Sequence, residues 1–226
     1  MDKGAMGLAN IELPKKVKYA PHKKKADGGS KMDLAGRTYA DRLALPGDLK
    51  LLTVQIDCVE GLRRNSKCIL ALHFARLFFQ LYILLEKKDQ AYVKAALDAV
   101  EAYCEGSFSD ALPVMLGDRS SELLDFAKIE TGFDGRVAPG CSTATRSSPA
   151  RRGGCEKNHV ELRKIPPKGT DFDAFAFDDV AKVCSHLNSY PRPNQGAAPI
   201  RLASLVLPVT CSRAWACAPF RPTTRS

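Results

Sequence analysis

Leu52, Val54 and Ile56 alternate with Thr53, Gln55 and Asp57, a period of two that predicts a strand with Asp57 on its more polar side. After a turn at Glu60-Gly61, the runs KCILALHFA and LFFQLYILLE read as two further strands. Their nearly continuous apolar character predicts burial on both faces. From Asp89 the period lengthens. Val93, Ala96, Leu97, Val100 and Cys104 recur at helical spacing, with Asp89 as N-cap and Gly106 as the stop. The short apolar run Pro113-Val114-Met115-Leu116-Gly117 ends in an acid, Asp118. A second helix is expected to start near Glu156 and end at Pro166-Pro167. A third, over residues 178–190, carries Val180, Val183, Cys184 and Leu187 on one face and stops at Pro191. Three strands, a helix, a short strand and then helices predict an α/β domain with a mixed sheet.

The flanks read differently. Over residues 1–48, Lys15, Lys16, Lys18, Lys23, Lys24 and Lys25 crowd around Pro14 and Pro21 ahead of Asp27-Gly28-Gly29-Ser30. Such a stretch has too little apolar surface to fold alone, which predicts a basic, largely disordered linker that either lies along DNA or serves as a solvated tether. Order is expected from about Leu51, a catalytic core over 49–208, and a disordered tail over 209–226. The whole chain of 226 residues has room for one domain core. Its net charge of +9 favours a polyanionic partner, since Lys and Arg displace counterions from phosphate backbones; it equally suits a merely soluble protein. No apolar run follows Met1-Asp2-Lys3-Gly4, so no secretory leader is expected. His73, Arg76 and Gln80 interrupt the apolar stretch from Cys68 to Leu85, which argues against a membrane span. The eight cysteines form no CxxC pair and no zinc spacing, the pattern of reduced thiols in a cytoplasmic protein.

Two acids, Asp57 and Asp118, fall at the ends of predicted strands, where open α/β sheets gather ligands. Carboxylate oxygens suit hard divalent cations, and a pair of such ions about 4 Å apart serves phosphoryl transfer. Capping or turn formation accounts for such aspartates equally well. Glu156 opens CEKNHVELRKIPPKG, in which a helix would align Glu156, His159 or Val160, and Arg163 on one face, flanked by Lys157 and Lys164. That arrangement fits a metal site on a DNA backbone, and it also fits an exposed helix with ordinary ion pairs.

The segment CEKNHVELRKIPPKGTDFDAF, followed by VCSHLNSYPR and LASLVLP, resembles the end of the catalytic core in insertion-sequence transposases of the IS-thirty type. The likeness extends through MLGDRSSELLDFAKIE, VQIDCVEGLRRNSKCILALHF and LPKKVKYAP, spanning residues 8–208. It implies an RNase H-like fold, a mixed sheet flanked by helices, in which Asp57, Asp118 and Glu156 are the catalytic carboxylates and hold two Mg2+ (or Mn2+) ions. It further implies that Lys157, Asn158, His159, Arg163, Lys164 and Lys168 lie near DNA. The implied reaction is DNA cleavage by water at an element's end, then attack of the freed 3′ hydroxyl on target DNA. A bacterial, nucleoid-associated location in the cytoplasm and a homo-oligomer in the active state follow from the same likeness, with no membrane partner.

The chain also departs from that pattern. The family's helix-turn-helix region is expected to be absent, since the likeness starts in the linker that follows it. Ser120 stands where the family has Gly, and Pro166 where it has Leu, both able to disturb backbone geometry. Between Asp118 and Glu156 the family strand resembles VFYCDP, whereas this chain reads GCSTATR, without strand alternation. An offset reading of the codons for Gly140 to Arg146 can encode V-F-Y-C-D-P, and the same offset turns VTCSRAWAC into D-L-L-E-G-L-G-L, like the family's tail. Frameshifts over about 137–152 and after Pro208 are therefore expected, leaving one strand disrupted and activity weak or lost. A catalytically inactive DNA-binding remnant is the alternative product.

Overall fold

A computed structural model describes residues 39–47, 53–103, 114–117, 120–123, 126–131, 141–143, 159–191 and 196–206. All of them belong to the compact unit Ala35–Ser226; the other unit, Met1–Leu34, lies outside the described residues. The elements run α1 (Tyr39–Ala44), β1 (Thr53–Glu60), β2 (Cys68–Phe74), β3 (Phe79–Leu85), α2 (Gln90–Tyr103), β4 (Val114–Gly117), α3 (Phe126–Glu130), β5 (Cys141–Thr143), α4 (Phe177–Ser189) and α5 (Pro199–Val206). Residues 159–162 are also helical, and short 3-10 turns occupy Ser121–Leu123 and Phe172–Ala174.

The five strands form one sheet in the order β3-β2-β1-β4-β5. β1, β2 and β3 pair antiparallel, and β4 pairs parallel with both β1 and β5. This is the mixed sheet flanked by helices expected from the sequence, an architecture compatible with the RNase H-like fold. Every residue of β2 and β3 is buried, His73 and Gln80 included, as their nearly continuous apolar runs predicted. The face read for α2 is buried at Val93, Ala96, Leu97 and Val100, and Asp89 caps the helix, its Oδ1 accepting from Ala91 N at 3.0 Å. On α4, Val180, Val183, Cys184 and Leu187 are likewise buried. Cys58, Cys68 and Cys184 carry free thiols.

The expected gap between Asp118 and the helix near Glu156 is not a gap. Residues 141–143 form β5, in register Met115↔Cys141, Leu116↔Ser142 and Gly117↔Thr143. A parallel edge strand draws on backbone N–H and C=O groups, which a polar sequence supplies as well as an apolar one. The missing alternation therefore does not abolish the strand, which spans Cys141–Thr143. The segment read as a linker also contains α1, a helix that lies alongside β5.

Long-range polar contacts lock the β1–β2 loop against residues 167–175. Asn65 Oδ1 accepts from Leu62 N (2.7 Å) and Phe172 N (3.1 Å), and its Nδ2 donates to Asp171 Oδ1 (2.5 Å). Leu62 N also donates to Thr170 O at 3.1 Å, while Ser66 N and Lys67 N donate to Asp173 Oδ1 at 3.1 and 2.9 Å. Gly61 sits inside this clamp. A Cβ there would lie 2.6 Å from both Thr170 O and Asn65 Oδ1, and 2.8 Å from the Phe172 ring. Gly61→Ala is expected to destabilise the fold by about 1–3 kcal/mol, because backbone atoms must move to admit the methyl group. Urea unfolding measures this, and an unchanged midpoint would show that the clamp is slack.

The Asp173 carboxyl is held below the ordinary aspartate range, first by the Lys67 amide and then by Asn65 and Ser66. A depressed folded value stabilises the protein above the unfolded pKa of about 3.9, and that contribution disappears as pH falls through the folded value. Wild-type and Asp173→Asn unfolding midpoints should thus differ most near neutrality and converge below pH ~4. Curves that stay parallel down to acid pH would remove Asp173 from the clamp's energetics.

Candidate functional site

Asp57 is the fifth residue of the eight in β1, not its end. It still pairs with Ala71 of β2, while the parallel pairing of β1 with β4 stops at Gln55↔Leu116. The strand outlasts its parallel neighbour because β2 continues to satisfy its backbone, so the expectation of a strand-end aspartate is corrected to a place just beyond the β1–β4 ladder. β4 ends at Gly117. Asp57 lies two residues past Gln55, and Asp118 two residues past Leu116.

The Asp57 side chain is 20% exposed, and its Oδ1 accepts from Cys58 N at 3.0 Å. Oδ2 lies 3.7 Å from His159 Nε2, on a side chain 27% exposed. A residue from the middle of β1 and one a hundred positions later are thereby brought side by side. The helical turn that delivers His159 is anchored by Leu162, wholly buried, and by Arg163 one turn along the same face. Arg163 Nη2 donates to Glu60 O at 2.6 Å, and the guanidinium carbon stands 5.9 Å from the Phe172 ring centroid. Burial lowers the pKa of this guanidinium. Its Nη1 is buried and meets no hydrogen-bond partner among the described residues. Arg163, read from the sequence as a DNA contact, thus ties the 159–162 turn to the end of β1.

Lys164 bonds Glu161 through both carboxylate oxygens at 2.8 Å, and Lys168 is exposed. Asp118, Glu156, Lys157 and Asn158 lie outside the described residues. Among the described residues no three His, Cys, Asp or Glu side chains gather as a metal-holding group. The donor at Asp57 nevertheless fits a hard divalent ion: a half-buried carboxylate with one oxygen fixed by a backbone amide. His159 suits Mg2+ poorly as a direct ligand and is better placed as the carboxylate's neighbour.

One feature escaped sequence reading. Glu122, 2% exposed in the 3-10 turn after β4, lies 3.3 Å from Lys88 Nζ, which also pairs with Glu60 at 2.5 Å. Burial alone would lower the Lys88 pKa, but the Glu60 bond and the Glu122 charge outweigh it and hold the ammonium above its usual range. No local signal joins these positions. Hydrogen bonding to Cys68, burial, and the nearby Glu122 and Asp57 carboxylates push the Cys58 thiol pKa up, which disfavours the thiolate.

No family model matches this chain, and no curated protein does. Among the described residues, no helix is long and apolar enough to cross a membrane.

Proposed function

We propose that this chain is the catalytic domain of an insertion-sequence transposase, a metal-dependent DNA strand-cleaving and strand-transferring enzyme of the IS-thirty type. What carries the reading is the contact between Asp57, which the family likeness makes a catalytic carboxylate, and His159, which the same likeness puts near DNA. Supporting it are a sheet order and helix arrangement compatible with an RNase H-like domain, and the equal two-residue offsets of Asp57 and Asp118 from the paired Gln55 and Leu116.

In this reading Asp57, Asp118 and Glu156 hold two Mg2+ or Mn2+ ions. When bound, such a pair activates the attacking oxygen and stabilises the leaving one. The protein's own part is positional. The Cys58 amide fixes one oxygen of Asp57, His159 flanks the other, and Arg163 with Leu162 holds the helical turn against β1. Lys157, Asn158, His159, Lys164 and Lys168 line the path of the DNA, with Arg163 as their anchor. Homo-oligomerisation and a nucleoid-associated cytoplasmic setting belong to the same proposal.

A DNA-binding remnant without turnover is the second reading, favoured by the three-residue length of β5 and by the frame displacement the sequence suggests there. Incubation with a labelled duplex and a target plasmid in Mg2+ or Mn2+ separates the two. Metal-dependent nicking and joining support the enzyme, nicking without joining indicates a nuclease, and salt-sensitive binding alone indicates the remnant.

A further inference from the structure

We infer that the β1–β2 loop is a phosphate-backbone contact surface, in which Arg63 and Arg64 join Lys168 in holding DNA beside Asp57. The inference rests on the reading just given and extends it to a loop that the family likeness does not assign to DNA.

The charge distribution carries it. Arg63 and Lys168 are exposed and bond to no described residue. Arg64 is 78% exposed, with one contact of 3.4 Å to Asp171. Two carboxylates share this surface: Asp173 is exposed, and Asp171, its side chain 40% exposed, pairs with Arg64. Asp173 is taken up by the amides of Ser66 and Lys67, and Asp171 accepts from Asn65 and from its own turn at Asp173 N. Both carboxylates are engaged by donors of the loop or of their own turn, whereas the charges of Arg63 and Lys168 meet no described partner.

The loop and the 167–173 turn also form one surface. Leu62, next to Arg63, bonds Thr170, and a Cβ on Gly169, next to Lys168, would touch the Leu62 side chain at 4.0 Å. Gly169 itself has φ +88°, so the tight turn presenting Lys168 depends on a glycine. The surface is close enough to the site to share one duplex. Three strand steps from Asp57 to Glu60 cover about 10 Å, and three more residues add at most about another 10 Å. Roughly 20 Å along B-DNA is about six base pairs.

Fluorescence anisotropy with a labelled duplex of about 20 base pairs, titrated from 0.05 to 0.2 M salt, tests the inference. Each phosphate contact contributes about 0.9 to the slope of log affinity against log salt, so Arg63→Gln and Lys168→Gln should each flatten it by about one. At 0.1 M salt each should weaken binding roughly eightfold, the factor that 0.9 of a decade represents. Arg201→Gln, an exposed arginine on α5, supplies the control and should leave the slope unchanged. All three side chains are exposed, so far-UV circular dichroism should match wild type. An unchanged slope in Arg63→Gln, or an equal loss in Arg201→Gln, overturns the surface. The two proposals fail separately. A flattened slope in a protein that never cuts DNA keeps the surface and removes the enzyme, and cutting with unaltered slopes does the reverse.

Discussion

Replacing Asp57 with asparagine is expected to lower metal-dependent DNA cleavage by about a thousandfold or more. A divalent ion contributes several kcal/mol to stabilising developing charge, and each 1.36 kcal/mol is tenfold in rate. Asparagine preserves shape and can still accept the Cys58 N–H through its carbonyl, so the strand has no reason to move. What disappears is the negative charge facing His159. Stability should change by less than about 1 kcal/mol, because the pair is partly solvent-exposed and such pairs contribute little. DNA affinity should stay constant or rise, since a negative charge has been taken from a surface that meets phosphates. Cleavage persisting at the wild-type rate in Asp57→Asn would remove this residue from the site. A matched fall in cleavage and in binding would identify Asp57 as a positioning residue.

The strands were legible because burial leaves a one-dimensional trace. β2 and β3 are buried on both faces, and any chain that builds such strands must string apolar residues together. The helical faces at Val93–Val100 and Val180–Leu187 were legible for the same reason, at a different period. β5 was not, because the ladder it makes with β4 uses backbone groups that every residue possesses. The site was half legible. Asp57 and His159 were each marked out by the family likeness, yet nothing within β1 says that a side chain a hundred residues later will face it. Arg163 shows the limit most clearly: its charge suggested a phosphate, and no pattern in the sequence announced that its guanidinium also reaches Glu60 O and lies near the Phe172 ring. The clamp of Asn65 with Asp171 and Phe172 spans more than a hundred residues and has no periodicity to betray it.

Phe172 is where these pieces converge, and its truncation to alanine should be the most destabilising of the changes considered. The ring is fully buried, 5.3 Å from the Phe175 ring by centroids, and the closest side-chain carbon that an added group on Gly61 would strike. Removing a buried phenyl group costs about 3–5 kcal/mol, combining lost transfer energy with the cavity left behind. For a domain whose net stability is about 5–15 kcal/mol, that is a large fraction. With a urea dependence of roughly 2 kcal/mol per molar, the midpoint should fall by about 2 M. Phe172→Leu, which keeps most of the volume, should lose less than about half as much. The site should feel the loss too. Arg163 would no longer have the ring beneath its guanidinium, and the 159–162 turn that presents His159 to Asp57 would lose one of its supports while keeping Leu162 and the Glu60 bond. In urea well below the shifted midpoint, a folded Phe172→Ala protein should therefore cut DNA more slowly than its folded fraction accounts for. Cleavage that merely tracks the folded fraction would separate the clamp from the site and leave Phe172 as an ordinary core residue.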